Sequence, residues 1–163
     1  MKVVIVGGVA GGASAAARLR RMDEAAEIIL LERGEHISYA NCGLPYYVGD
    51  VIPDREKLLV TTPRTMRERF RIDVRTHNEV TSIDPAAHTV RVKNHATGEE
   101  YTETYDKLIL SPGAEPIKPR LPGIESSRVF TLRSIPDTEN IREFVRNSRP
   151  KRAVVVGGGF IGL

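Results

Sequence analysis

The single cysteine of the chain, Cys42, lies in the stretch Ile37-Ser38-Tyr39-Ala40-Asn41-Cys42-Gly43-Leu44-Pro45-Tyr46-Tyr47. A thiolate is the side-chain nucleophile suited to attack a disulfide, a persulfide or a peroxide. One thiol forms no intrachain disulfide, and no Cys/His spacing suits zinc, so no metal-binding residues are expected. A two-cysteine redox centre would read C-x4-C, but its partner positions hold Tyr47 and Ile37. If Cys42 turns over, its partner is a thiol from outside or an oxygen species, giving a mixed disulfide, a persulfide or a sulfenic acid. Pro45 suits the first turn of a helix, which puts Cys42 near a helix N-terminus, an environment that favours the thiolate. A lone thiol is more often an inert core residue. The position of Cys42 on a loop leaving a strand, at the sheet edge where ligands bind, argues for chemistry.

A second constellation is Gly7-Gly8-Val9-Ala10-Gly11-Gly12, which follows an apolar strand and opens an Ala-rich helix, with Glu32 ending the next strand 20 residues past Gly12. That is the context of a dinucleotide-binding fingerprint. Gly7 permits the tight turn, Gly12 lets helix and strand approach, the helix N-terminus faces phosphate, and Glu32 can accept hydrogen bonds from both hydroxyls of an adenosine ribose. Val9 stands where the fingerprint has its middle glycine, so the backbone there approaches phosphate less closely. An acid at position 32 argues against a 2′-phosphate. Near the C-terminal end, Gly157-Gly158-Gly159-Phe160-Ile161-Gly162 keeps all three fingerprint glycines, Gly157, Gly159 and Gly162. Two such turns suggest two dinucleotides, a flavin held by the first and a nicotinamide cofactor visiting the second.

The elements that must position these groups follow from periodicity. Residues 2–32 read as a βαβ unit: an apolar strand, a helix through Arg21, and a strand Glu27–Glu32. Continuous apolar strands imply a parallel sheet buried on both faces. A helix is predicted from Pro63 to Phe70, capped by Thr62, with a short strand near Ile72–Arg75. From Glu79 to Asp106 the period becomes two, with turns at Asp84-Pro85-Ala86-Ala87 and Asn94-His95-Ala96-Thr97-Gly98, so an antiparallel meander is expected. Lys107–Ser111 returns to a buried strand, and Pro112–Gly123 reads as a stiff exposed crossing. A helix over Ile135–Asn147 and a strand Ala153–Val156 lead into the second Gly-rich turn. The chain is expected to be a fragment cut inside that second nucleotide-binding unit, with a domain boundary between residues 118 and 119.

The 163 residues fit one ordinary domain, and a chain 40% apolar and 28% charged is expected to fold. The 24 Lys and Arg against 21 Asp and Glu leave only +3, which does not suit a strongly basic nucleic-acid or membrane-surface protein. The aliphatic stretch Ile28–Leu31 is far short of the ~20 residues of a membrane span, and no signal peptide is recognisable. A cytoplasmic protein that crosses no membrane is expected. Arg18 and Arg21 share a helix face and suit phosphate, whereas Arg20, Arg67, Arg69 and Arg71 read as a solvated face or stay open. His36, His77, His88 and His95 read as surface or turn residues, and Glu99, Glu100 and Glu103 as solvated.

The stretch Ser-x-x-Asn-Cys-Gly-Leu-Pro-Tyr and the segment Ser111-Pro112-Gly113-Ala114 resemble the single-cysteine branch of the pyridine nucleotide-disulfide oxidoreductases. Within that branch they look like the coenzyme A-disulfide reductase type, including rhodanese-fused persulfide reductases, and the resemblance covers the whole chain. It implies an α/β, Rossmann-like FAD-binding three-layer fold with an inserted antiparallel β-meander and the start of a second Rossmann unit. It implies FAD-dependent reduction of coenzyme A disulfide or a persulfide by NADH or NADPH, with Cys42 facing the flavin as nucleophile. Flavin contacts are implied for Gly7, Gly8, Val9, Ala10, Gly11, Gly12, Glu32, Arg33, Asn41, Cys42, Val80, Ser111, Pro112 and Gly113, and nicotinamide-cofactor contacts for Gly157, Gly159 and Gly162. Ser14, Arg18, Arg21, Ser38 and Asn41 would line a coenzyme A channel, and the full-length protein would be a homodimer. Two alternatives stay open: an NADH oxidase or peroxidase using a Cys42 sulfenic acid, and a nucleotide-binding fragment that is inactive by itself. Asn41 and Pro45-Tyr46 count against the oxidase, and little or no NADH turnover is expected from residues 1–163 alone.

Overall fold

In the computed structural model, residues 1–158 are described. The chain divides into two compact units, one of Met1–Tyr39 with Leu59–Ala114, the other of Ala40–Leu58 with Glu115 onward.

In the first unit β1 (Lys2–Val6) runs into α1 (Gly11–Met22) and then β2 (Glu27–Glu32). α3 (Pro63–Phe70) follows the other unit's α2 (Leu44–Val48), and β3 (Asp73–Thr76), β4 (Asn78–Asp84), β5 (Thr89–Asn94), β6 (Glu100–Thr104) and β7 (Lys107–Leu110) complete this unit. The parallel sheet has the order β3-β2-β1-β7, and β4-β5-β6 is a separate antiparallel sheet. Because successive side chains on a strand face opposite ways, the continuous apolar runs of β1 and β2 feed two cores. Val3, Ile5, Ile28 and Leu30 pack with Ala13, Ala16 and Met66 of the helices, while Val4, Ile29 and Leu31 pack with Val90 and Val92 of the meander. Helices, parallel sheet and meander are thus three layers of one α/β unit, as expected.

Local signals act as predicted in several places. The Thr62 hydroxyl accepts the Thr65 amide at 3.1 Å, and Pro63 opens α3. Asp84 Oδ1 accepts the amides of Ala86 and Ala87, and Gly98 closes the other hairpin at φ +78°. The strict alternation expected along Val80–Asp84 is broken by a bulge between Val80 and Ser82, which leaves Ile83 exposed. The strand β7 is only half-buried, with Leu110 exposed, because among the described residues it pairs with β1 alone and ends the sheet.

Two charged side chains read as solvated are structural. Arg20 is buried, donating to the carbonyls of Phe70 (2.8 Å), Glu24 (2.7 Å), Arg71 (2.9 Å) and Asp23 (3.3 Å). It thereby satisfies carbonyls that the ends of α1 and α3 leave unpaired. Glu103 is shielded, its two oxygens accepting from Lys2 Nζ at 2.5 Å and Arg75 Nη1 at 2.7 Å.

In the second unit, a 3-10 turn Asn41–Gly43 leads into α2, and α4 (Ile135–Ser148) packs on α2. Ser134 and Asp137 form a capping box at the start of α4, where Asp137 Oδ2 accepts the Ser134 amide at 2.8 Å. Residues 112–123 are mostly exposed and irregular. The strand expected over Ala153–Val156 does not form: Val154, Val155 and Val156 are exposed, and no strand among the described residues pairs with them. An apolar run becomes a parallel strand only beside a neighbouring strand that takes up its amides and carbonyls. Gly159 and Gly162 lie outside the described residues.

Candidate functional site

The Gly-rich turn is built by close backbone packing. Gly7, at φ +92°, has no room for a side chain: a Cβ there would lie 2.0 Å from the Ser111 carbonyl oxygen. The Ser111 amide donates to the Val6 carbonyl at 2.7 Å, and the Gly7 amide to the Leu31 carbonyl at 2.8 Å. A Cβ at Gly12 would sit 1.7 Å from the Gly7 oxygen, so only glycine lets α1 start this close to β1. At Gly11 a Cβ would meet Ser111 Oγ at 2.6 Å, and at Gly8 the Ile37 and Leu30 side chains at 2.8 Å. The first turn of α1 has no acidic residue and no side-chain cap, so no side chain offsets the positive dipole end of the helix.

The buried Glu32 carboxylate belongs to the same assembly. Its Oε2 accepts the Gly8 amide at 2.8 Å and its Oε1 the Gly34 amide at 2.8 Å. Each carboxylate oxygen retains a second lone pair, so the anchored acid can still accept from a diol. Ser38 joins through its backbone, donating to the Gly8 carbonyl at 3.1 Å and accepting the Val60 amide at 2.8 Å. The structure therefore brings Gly7, Gly8, Gly11, Gly12, Glu32, Ser38 and Ser111 together.

Other expected residues surround or leave this cluster. Val9 is half-buried, Ala10 is exposed, and Arg33 is exposed just past Glu32. Pro112 and Gly113 are exposed beyond β7, and Val80 is half-buried on the meander core. Ser14, Arg18 and Arg21 are exposed on α1 at spacings that place them on one stripe of the helix.

In the second unit Cys42 is exposed and lies outside both apolar cores. It lies with exposed Asn41 on the 3-10 turn, directly before α2, with Pro45 in the first turn of that helix. The turn is anchored by its neighbours. Gly43 is buried, a Cβ there would meet Leu58 Cδ2 at 2.9 Å, and the Ala40 amide donates to the Leu58 carbonyl at 2.8 Å. At the other end of α2, Arg142 of α4 stacks 4.2 Å over the Tyr47 ring, donates to the Tyr47 carbonyl and pairs with Asp50 at 2.6 Å. Gly157 is exposed at φ +112°.

Arg142 and Gly34 went unnoticed in the sequence. Gly34 follows Glu32 closely enough that a turn returning to the acid could have been suspected. Nothing local marks Arg142, whose partner Tyr47 is 95 residues away. Among the described residues, no group of three or more His, Cys, Asp or Glu side chains could hold a metal ion, and no helix is long and apolar enough to cross a membrane.

A parallel sheet whose first strand enters a four-glycine turn at a helix N-terminus, with an anchored acid ending the next strand, defines a Rossmann-like α/β fold. The pyridine nucleotide-disulphide oxidoreductase family matches residues 1–163, and the chain belongs to it. A coenzyme A disulfide reductase of Staphylococcus epidermidis is 47% identical over 162 residues, 99% of this chain and 36% of the relative. The crystal structure of reduced Bacillus anthracis CoADR-RHD is 57% identical with TM-score 0.97, over 99% of this chain and 29% of that one. An NAD-dependent persulfide reductase from A. fulgidus is 39% identical with TM-score 0.94, over 100% of this chain and 31% of that one. The chain thus spans about a third of the length of the curated relatives it matches.

Proposed function

We propose that the protein containing this chain is a flavoenzyme that reduces coenzyme A disulfide, or a related persulfide, with NADH or NADPH. The observation that carries the proposal is the exposed Cys42 on an anchored turn, in a chain with no second thiol to pair with it. Similarity to coenzyme A disulfide reductases and to a persulfide reductase supports the substrate class.

The Gly-rich turn fits FAD. Gly7, Gly8, Val9, Ala10, Gly11 and Gly12 would take its pyrophosphate at the α1 N-terminus, Glu32 and Arg33 its adenosine end, and Asn41, Cys42, Val80, Ser111, Pro112 and Gly113 further parts. When bound, FAD supplies the route for two electrons from the nicotinamide nucleotide to sulfur. Gly157, Gly159 and Gly162 would serve that nucleotide. We place residues 1–118 in the FAD-binding domain and 119–163 at the start of the nicotinamide-binding one, in a cytoplasmic homodimer.

Ser14, Arg18, Arg21, Ser38 and Asn41 would bind coenzyme A, the guanidinium groups on its phosphates. The Cys42 thiolate attacks one sulfur of the substrate disulfide, forming a mixed disulfide and expelling one coenzyme A thiolate. Two electrons and one proton then cleave the mixed disulfide, releasing the second coenzyme A thiol and restoring the Cys42 thiolate.

The test is Cys42→Ser in the full-length protein. Turnover of coenzyme A disulfide should fall by about 1,000-fold or more, because the step proposed for Cys42 requires its thiolate and a serine hydroxyl does not replace it. Retained turnover removes Cys42 from the reaction, and a strong preference of the unmodified enzyme for oxygen or peroxide would favour the sulfenic acid alternative.

A further inference from the structure

We propose that Arg142 is a positioning residue for Cys42, an inference that rests on the reading of Cys42 as the nucleophile. The Arg142 side chain is only 10% exposed, although it carries a permanent charge. Its environment accounts for that burial. The guanidinium lies 4.2 Å from the Tyr47 ring centroid, Nη1 donates to the Tyr47 carbonyl, and Nη2 meets Asp50 Oδ1 at 2.6 Å.

The three contacts converge on the C-terminal end of the helix that follows Cys42. α2 ends at Val48, so the Tyr47 carbonyl lies at the negative end of the helix dipole, where it accepts the Asp50 amide at 3.3 Å as well as Arg142 Nη1. Asp50 holds a left-handed backbone, φ +58°, in the turn that leaves the helix, and its ion pair to the shielded Arg142 joins that turn to α4. Gly43, packed on Leu58, anchors the N-terminal end of the same helix. Cys42 therefore sits on a short rigid segment clamped at both ends, one clamp being a single side chain of α4.

Guanidinium chemistry is needed for this clamp. A planar fork can stack on a ring while donating to a carbonyl and a carboxylate, whereas a lysine ammonium cannot do all three in one geometry. The neighbouring pair Arg55–Glu139, at 3.2 Å, also links α4 to this segment, but both side chains are well exposed and such a pair contributes little. The clamp matters to the reaction because sulfur attack on a disulfide demands alignment, and a misplacement of about 1 Å can cost about 100-fold.

The experiment uses the full-length, flavin-loaded protein and the variants Arg142→Met, Arg142→Lys, Asp50→Asn and Glu139→Gln. Two quantities are read: the alkylation rate of Cys42 by iodoacetamide, followed on the Cys42 peptide by mass spectrometry, and kcat with KM for NADH on coenzyme A disulfide. Arg142→Met should raise the alkylation rate about threefold, as the freed segment opens more often, and lower kcat about tenfold with KM for NADH and flavin content unchanged. Arg142→Lys should fall between Met and Arg, and Glu139→Gln should match the unmodified protein. Asp50 is 77% exposed, so Asp50→Asn folds and decides the matter should Arg142→Met fail to fold; it should move both readouts the same way by a smaller factor.

An unchanged alkylation rate and kcat in Arg142→Met, or in Asp50→Asn if that is the variant that folds, overturns the proposal. Equal losses in kcat, KM and flavin content do so as well, since they mark a general scaffold role. Alkylation is read without turnover, so a failure of the disulfide-reductase reading in Cys42→Ser leaves this comparison intact.

Discussion

The Gly8 amide donates to Glu32 Oε2 at 2.8 Å, so the Gly-rich turn and the acid that ends β2 form one hydrogen-bonded assembly. Glu32 thus holds the turn in shape before any ligand arrives. Glu32→Ala leaves the buried Gly8 amide and the Gly34 amide without their acceptor and is expected to cost about 1–3 kcal/mol. Glu32→Gln keeps one acceptor but presents an NH2 group to one of the amides, so it should destabilise nearly as much. Urea unfolding of both variants checks this, and flavin retention on purification should fall in parallel. Wild-type stability in Glu32→Ala would show that the two amides find other acceptors.

Glycine is required here for two different reasons, and substitution separates them. At Gly12 a Cβ would overlap the Gly7 oxygen at 1.7 Å, so Gly12→Ala must push α1 off β1, at about 3 kcal/mol or more. At Gly98 nothing lies within 4 Å, but the backbone is left-handed at φ +78°, so Gly98→Ala should cost only about 1 kcal/mol of backbone strain. Denaturant midpoints of the two variants should differ clearly, and equal losses would contradict the steric account at Gly12.

Arg20 shows a third kind of dependence, on carbonyls distant in the chain. Arg20→Met keeps most of the stem volume but leaves four carbonyls at the ends of α1 and α3 without their donor. A loss of about 3 kcal/mol is expected, because charge-assisted hydrogen bonds from a buried guanidinium to part-buried carbonyls are involved. Arg18→Met, on the exposed face of the same helix, should change stability by less than about 0.5 kcal/mol. Similar losses in the two would mean that Arg20 is as solvated as its sequence context suggested.

These residues mark where sequence reasoning succeeds and where it stops. β2 at Glu27–Glu32 and α3 at Pro63–Phe70 were legible because their determinants are local: an apolar run, and a Thr-Pro start. The Gly-rich turn was legible because its glycines answer to backbone geometry, and the placement of Cys42 just before a helix because Pro45 marks the first turn of that helix. Arg20, Glu103 and Arg142 were not legible, since each bonds at least one partner 50 to 101 residues away that carries no local pattern. The run Val154–Val156 erred in the opposite direction: its composition suits a strand, but strand formation depends on a neighbour that no short window of sequence contains.

The Lys2–Glu103–Arg75 network ties β1 and β3 to the meander and makes stability depend on pH at both extremes. Burial by itself would raise the Glu103 carboxyl, but hydrogen bonds from Lys2 and Arg75 outweigh it and hold the group below the ordinary 4.5. The hydrogen bond to Glu103 raises the Lys2 ammonium above its ordinary 10.5, against the effect of burial. A carboxyl depressed on folding stabilises fully above its unfolded value, and that contribution disappears as pH falls through the lower folded value. A raised lysine stabilises fully below 10.5, and its contribution disappears as pH rises through the folded value. Unfolding midpoints in urea should therefore drop on going from about pH 6 to about pH 3, and Glu103→Gln should show a lower plateau with a shallower acid fall. Subtracting the two profiles removes the contribution of the remaining carboxylates. An acid fall in Glu103→Gln as steep as that of the unmodified chain would mean that the network does not carry the linkage.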